Sequence, residues 1–269
     1  LGDIWTADEN GQNIRRITVH KARDIYPRFS PDGKWIAFSS DRNGNLDVFV
    51  IPAEGGQAKQ LTFHSADDNV LGWCPDSKVI LFSSQRGEDF MGRLYTVNLD
   101  DLKERSAGSD MGVFASYSPD GKKLAINRKG QVYWRKYYRG SYQTDVTVMD
   151  IASKKFTDVT DFNGEDSWPM WSRDGHIYFV SDRDGGIQAN TGLTNIWRTG
   201  ETGGKAEKVT SFTAGDVRWP AMSSDGKTIV FEHDFGVWKL DVATKKATPI
   251  KLDISAETQE NLAEVRDFN

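Results

Sequence analysis

The stretch of the chain that offers most to chemistry runs from Lys122 to Tyr142. Lys122, Lys123, Arg128, Lys129, Arg135, Lys136 and Arg139 fall there with no acid among them, and Tyr133, Trp134, Tyr137, Tyr138 and Tyr142 are interleaved. Cations alternating with aromatic rings can track a phosphate backbone and stack bases. They can also anchor a protein interface, where Arg and Tyr are enriched. The formal net charge of −5 speaks against the nucleic-acid reading, because phosphate binding rewards clustered positive charge. Two readings stay open. One is a long hairpin packed on a neighbouring element. The other is contact with a polypeptide or with further domains, through Arg128, Arg135, Lys136, Tyr137, Tyr138 and Arg139.

Carboxylates form the second pattern. Asp24, Asp68, Asp110, Asp166 and Asp216 each stand shortly before an apolar stretch. Turn chemistry at a strand start is the first explanation, since Asp caps its own backbone. The functional reading is an acidic collar that attracts cations or peptide amino termini. Asp41-Arg42-Asn43-Gly44-Asn45-Leu46-Asp47 places oxygen ligands at alternate positions, as calcium loops do, but no Glu closes it. An ordinary Asn/Asp-rich hairpin turn accounts for it, and no metal or other cofactor is expected.

Nucleophilic chemistry finds little support. The single cysteine, Cys74, stands where related segments carry Ser30, Ser118 or Ser172, with no histidine in its motif. The four histidines are scattered. Neither G-x-S-x-G, H-E-x-x-H, a Walker loop nor a dinucleotide fingerprint occurs, so no catalytic residue is assigned. No apolar run approaches the roughly 20 residues that span a bilayer as a helix.

These residues are positioned by a repeat. Ser30-Pro31-Asp32-Gly33-Lys34 precedes the apolar Trp35-Ile36-Ala37-Phe38. Variants follow at Cys74-Pro75-Asp76-Ser77-Lys78, Ser118-Pro119-Asp120-Gly121-Lys122, Ser172-Arg173-Asp174-Gly175 and Ser224-Asp225-Gly226-Lys227. Their spacing of roughly 44 to 54 residues is that of a four-stranded propeller blade. Tyr26-Pro27-Arg28-Phe29 and Trp168-Pro169-Met170-Trp171 read as innermost strands. The Asp-Gly element is a tight turn with Gly at φ > 0. The nearly all-apolar strand after it is packed on both faces. Asp47 to Ile51 and its counterparts form third strands, and short segments such as Lys59 to Thr62 form the outer edge.

The expected fold is therefore all-β: a six-bladed β-propeller of four-stranded antiparallel blades, the first partial. Blades are expected over 24–62, 68–106, 110–160, 166–210 and 216–250, within a propeller covering 1–250. Residues 1–20 supply only a third and a fourth strand, whose inner partners are expected upstream. Residues 251–269 are expected to close the ring or link to a following domain.

The S-P-D-G-K, S-D-R and D-V-F-V elements resemble the WD40-like repeats of TolB and of the tricorn protease family. Asn127 to Gln131, Lys136 to Ser141, Asp145-Val146 and Thr160 to Asp166 sharpen the likeness, which extends over essentially the whole chain. They resemble the first propeller of bacterial tricorn-like serine peptidases. That resemblance implies a non-catalytic domain that binds or gates unfolded polypeptide for proteolysis by later domains, with substrate or those domains as partners. A stand-alone TolB-type interaction scaffold is the alternative. The resemblance also leans toward the periplasm over the cytoplasm, while oligomeric state stays open.

Overall fold

Each apolar segment of the repeat becomes a strand, and the strands pair in sequence order. The computed structural model describes residues 2–87, 92–130, 138–184 and 193–254. The first four-stranded sheet, blade I, consists of β3 (Asp24–Phe29), β4 (Trp35–Ser40), β5 (Asp47–Pro52) and β6 (Lys59–Gln60). Blade II is β7 (Asp68–Trp73), β8 (Val79–Ser84), β9 (Arg93–Asn98) and β10 (Glu104–Ser106). Blade III is β11 (Phe114–Tyr117), β12 (Lys123–Asn127), β13 (Val146–Asp150) and β14 (Phe156–Asp158). Blade IV is β15 (Asp166–Trp171), β16 (His176–Ser181), β17 (Asn195–Gly200) and β18 (Glu207–Lys208). Blade V is β19 (Val217–Met222), β20 (Thr228–His233), β21 (Gly236–Asp241) and β22 (Lys246–Ile250). Every pairing is antiparallel.

The expected sixth blade is not found as a blade. The described residues form five four-stranded sheets and one two-stranded sheet, in which β1 (Trp5–Thr6) pairs β2 (Arg15–Arg16). The repeat explains why. The Ile4 amide donates to Thr18 Oγ1 at 2.9 Å, just as Val48 does to Thr62, Val146 to Thr160 and Ile196 to Thr210. That bond ties the third strand of a blade to the end of its fourth, so β1 and β2 are an outer pair without an inner one. The stretch after β22, as far as Ile254, forms no strand and leaves Leu252 and Ile254 exposed.

Alternation along the second strand of each blade builds the core between blades rather than within them. In β8, Ile80 and Phe82 pack toward blade I with Val48, Val50 and Leu61, while Leu81 faces blade III with Leu124 and Ile126. In β16, Ile177 and Phe179 join blade III, and Tyr178 and Val180 join blade V. Ile4 and Ile17 cover Ile36 and Phe38 of blade I in the same manner. The rule lapses at the far face of β20, where Val230 is exposed.

The turns behave as their sequence implies. Ser30 Oγ donates to Asp32 Oδ1 at 2.7 Å and accepts the Trp35 amide at 3.0 Å, while Gly33 takes φ 72°. Ser118 and Ser223 make the same pair of bonds. Ser223, rather than Ser224, thus occupies the first position of the last turn, and Ser224 stands in the proline slot.

Candidate functional site

The inner strands β3, β7, β11, β15 and β19 stand side by side around a central channel and run from an aspartate end to a turn end. At the aspartate end, Asp24, Asp68 and Asp166 are buried. Each meets an arginine from the loop after the second strand of its own blade: Asp24 with Arg42 (2.9 Å), Asp68 with Arg86 (2.5 Å) and Asp166 with Arg183 (2.5 Å). Asp110, on an exposed loop, pairs with Arg128 at 2.7 Å, and Asp216 with Arg218 at 3.0 Å. Asp24, Asp68 and Asp166 therefore occupy equivalent places, Asp110 and Asp216 do not, and a guanidinium partners every one. The Nε of Arg42, Arg86 and Arg183 also donates to Ser40, Ser84 and Ser181. The Ser-x-Arg spacing was visible in the sequence, but only its turn chemistry was read from it.

The arginines of the inner ring also lie over aromatic faces. Arg42 sits 4.6 Å from the Phe49 ring centroid, Arg86 4.9 Å from Tyr95 and Arg183 4.7 Å from Phe162. Arg128 takes the same position over Phe156 at 4.8 Å. Arg139 is largely buried, donates to Asp182 Oδ2 at 3.0 Å and lies over Phe162. Tyr138 accepts the Tyr142 amide at 3.4 Å. Of the basic and aromatic stretch, Tyr133, Trp134, Arg135, Lys136 and Tyr137 lie outside the described residues.

A second set of carboxylates lies behind the first. Asp47 begins a third strand and Asp145 immediately precedes one, and burial pushes each up to about 6, reinforced by Asp68 and Asp166 of the following blade. The carboxylates of the calcium-like loop are engaged locally, and its Asn43 side chain is held as a donor. Asp41 accepts the Arg23 amide, Asn43 donates to Gln60, and Asp47 accepts from Gln60. Burial raises the Cys74 thiol above its usual range, the opposite of what a nucleophile needs.

Between the two ends lies an aromatic arc that the sequence reading did not assign to the channel. Tyr26, Trp168 and Trp219 each precede a proline, each adopts positive φ (56°, 52° and 51°), and each sits at a bulge in its inner strand. A bulky residue in that region is strained, a state held only when its surroundings over-determine it. The rings touch in series: Tyr26 to Trp219 at 5.8 Å, Trp219 to Trp168 at 5.7 Å, and Trp168 to Phe114 at 5.2 Å. The signal was the dipeptide aromatic-Pro at one fixed distance before the turn motif in three blades.

At the turn end the channel opens into a cavity of about 210 Å³, lined by Phe29, Trp73, Phe114 and Trp168 and by the guanidinium-bearing Arg28 and Arg173. No acid contributes to its wall. Such a site can hold an apolar group and a negative charge. It brings no nucleophile and base together.

Comparison with known proteins matches this architecture. Residues 1–246 fit the family model described as the tricorn protease N-terminal β-propeller domain. A tricorn protease homolog of Saccharolobus solfataricus is 27% identical over 263 residues, covering 95% of this chain and 23% of that protein. The chain thus spans about a quarter of the length of such a relative. The crystal structure of the tricorn protease superposes with a TM-score of 0.80 at 23% identity, over 95% of this chain and 25% of the other. A putative TolB from Agrobacterium tumefaciens has the same fold, with a TM-score of 0.72 at 21% identity over 89% of this chain and 84% of that one. The breadth of the family match, together with the blade-by-blade repeat, makes this chain a member of the tricorn protease N-terminal β-propeller family.

Proposed function

We propose that this propeller is a non-catalytic domain of a tricorn-like serine peptidase, and that it binds or gates unfolded polypeptide in its channel. The observation that carries the reading is the aromatic arc. Three blades hold Tyr26, Trp168 and Trp219 at positive φ, and backbone strain of this kind collects at ligand-contacting positions. Aromatic rings accept many side chains without strict sequence preference, which suits a chain that must handle mixed peptides. The raised thiol of Cys74 and the internal pairing of the aspartates also favour binding over turnover.

The test measures binding and cleavage together, using unstructured peptides of mixed sequence and the 269-residue chain. Phe29 lines the channel cavity and is 57% exposed, so Phe29→Ser leaves the fold intact. Binding that weakens in Phe29→Ser, without cleavage, supports the reading. Binding unaffected by Phe29→Ser and by Trp168→Ala moves the contact out of the channel. Turnover by the isolated chain overturns the non-catalytic assignment.

A second reading, a partner-docking scaffold of the TolB type, draws on the aspartate end. Phe235 is 98% exposed and Phe63 70% exposed, and both emerge on that face. A partner held there would be lost in Phe235→Ser and untouched by Phe29→Ser.

A further inference from the structure

Arg28 differs from the other arginines of the inner ring. Arg42, Arg86, Arg128 and Arg183 each hold a carboxylate, and Arg28 holds none among the described residues. Its Nε donates to the Leu71 carbonyl at 3.0 Å and its Nη1 to the Pro27 carbonyl at 3.0 Å. The indole of Trp73 in turn fixes the Arg28 carbonyl at 2.9 Å. The guanidinium is thus placed by neutral groups and keeps Nη2 without a hydrogen-bond partner. Burial lowers its pKa, as expected of a cation drawn from water without a counter-charge.

The nearby acids are committed elsewhere. Asp32 accepts from Ser30 and from the Lys34 amide, and Asp120 accepts from Ser118 and the Lys122 amide. Asp225 does the same with Ser223 and Lys227. Asp174 is bound by Tyr178 and the His176 amide. Arg173, from blade IV, also lines this cavity and makes no ion pair among the described residues. A cavity whose lining includes two arginines, several aromatic residues and no acid among the described residues is complementary to a carboxylate on an apolar body.

We infer that the turn end of the channel is a binding site for a carboxylate carried on an apolar or aromatic group, with Arg28 as the anion-binding residue and Phe114 and Trp168 as its apolar wall. The volume of about 210 Å³ lies below the roughly 300 Å³ where sites for larger ligands begin, so it takes one terminal group rather than an extended segment. A peptide carboxyl terminus and a free small acid present the same chemistry. The inference deepens the polypeptide reading above and rests on it where the source is a peptide.

Calorimetric titration of the 269-residue chain tests it with two matched pairs. The first is N-acetylphenylalanine and its amide. The second is a five-residue alanine peptide ending in phenylalanine, as free acid and as amide. Each acid is expected to bind at least tenfold more tightly than its amide, because one charge-assisted hydrogen bond contributes about a factor of 10 to 100. Arg28→Met should erase that preference without lowering Tm, since it removes a half-buried cation that has no counter-charge among the described residues. Arg28→Lys should retain part of it, and Arg173→Gln should weaken both acids severalfold.

If the small acid binds with this preference and the peptide does not, the site stands while the polypeptide reading falls. If the peptide acid alone binds with it, the ligand is a chain terminus. Equal binding of acid and amide overturns the carboxylate site and leaves the polypeptide reading intact. Absence of binding by all four probes, or a preference that survives Arg28→Met, also overturns it.

Discussion

Arg42 Nη2 lies 2.9 and 3.1 Å from the two carboxylate oxygens of Asp24, whose side chain has no exposed surface. The same loop supplies Arg86 and Arg183 to Asp68 and Asp166. The aspartates of the inner strands are therefore first of all structural partners of their own blades. Removing one member leaves the other buried and unpaired, a loss of about 3–5 kcal/mol. Arg42→Met should lower the urea midpoint accordingly, and Asp24→Asn combined with Arg42→Met should recover much of that loss. A single variant as stable as the parent would show the pair to be dispensable.

Asp145 gives a prediction in pH. Its carboxyl, held up to about 6 by burial and by Asp166, has an unfolded value near ~3.9. Between those values the folded state binds more protons than the unfolded one, so this group's contribution makes stability fall as pH rises from about 4 to about 6. Above that window the ionised form is a liability. Blade IV carries Asn195 at the corresponding place, where Asn195 Oδ1 accepts from Thr210 at 2.8 Å. Asp145→Asn should therefore raise Tm at pH 7.5 by about 2–4 °C per kcal/mol relieved, with the gain shrinking toward pH 4.5. A gain independent of pH would assign it to something other than titration.

The threonine that closes four of the outer pairs gives a third. Thr62 Oγ1 accepts the buried Val48 amide at 2.9 Å. Thr62→Val keeps the shape and strands that amide, which should cost about 1–3 kcal/mol. Chemical denaturation reads it directly, and Thr160→Val should behave alike because its hydroxyl accepts the Val146 amide at 3.0 Å.

Cys74 supplies a fourth. With its thiol raised by burial, alkylation by iodoacetamide at pH 7.5 should be slower than for an unstructured cysteine peptide and should accelerate in denaturant. Cys74→Ser should preserve the fold and restore a turn like that of Ser30. Rapid labelling of the native chain would contradict this.

Much of the fold was legible because the repeat is local. The turn Ser30 to Lys34 and its counterparts fix their own geometry through Ser, Asp and Gly, and the second strand announces its two buried faces through Ile36, Ala37 and Phe38. The blade count was less legible, because Ile4 and Thr18 carry the mark of an outer pair and say nothing of an inner one. The Asp24 to Arg42 pairing required two segments to be read together. The aromatic arc was missed because strain at Tyr26, Trp168 and Trp219 is a backbone property of the folded strand. Nothing in an isolated aromatic-Pro dipeptide shows that its ring will meet one from another blade.

The two ends of the channel differ in how their charges are compensated, and part of the aromatic arc, Phe114 and Trp168, belongs to the turn end. At one end Asp24, Asp68 and Asp166 are each balanced by an arginine of their own blade, while at the other Arg28 and Arg173 make no ion pair among the described residues. With the carboxylate site inferred above, a dipolar molecule lying along the bore would be held with its negative group toward the turns. Along its bore the domain is thus asymmetric in the way a diode is, with paired charges at one end and spare positive charge at the other.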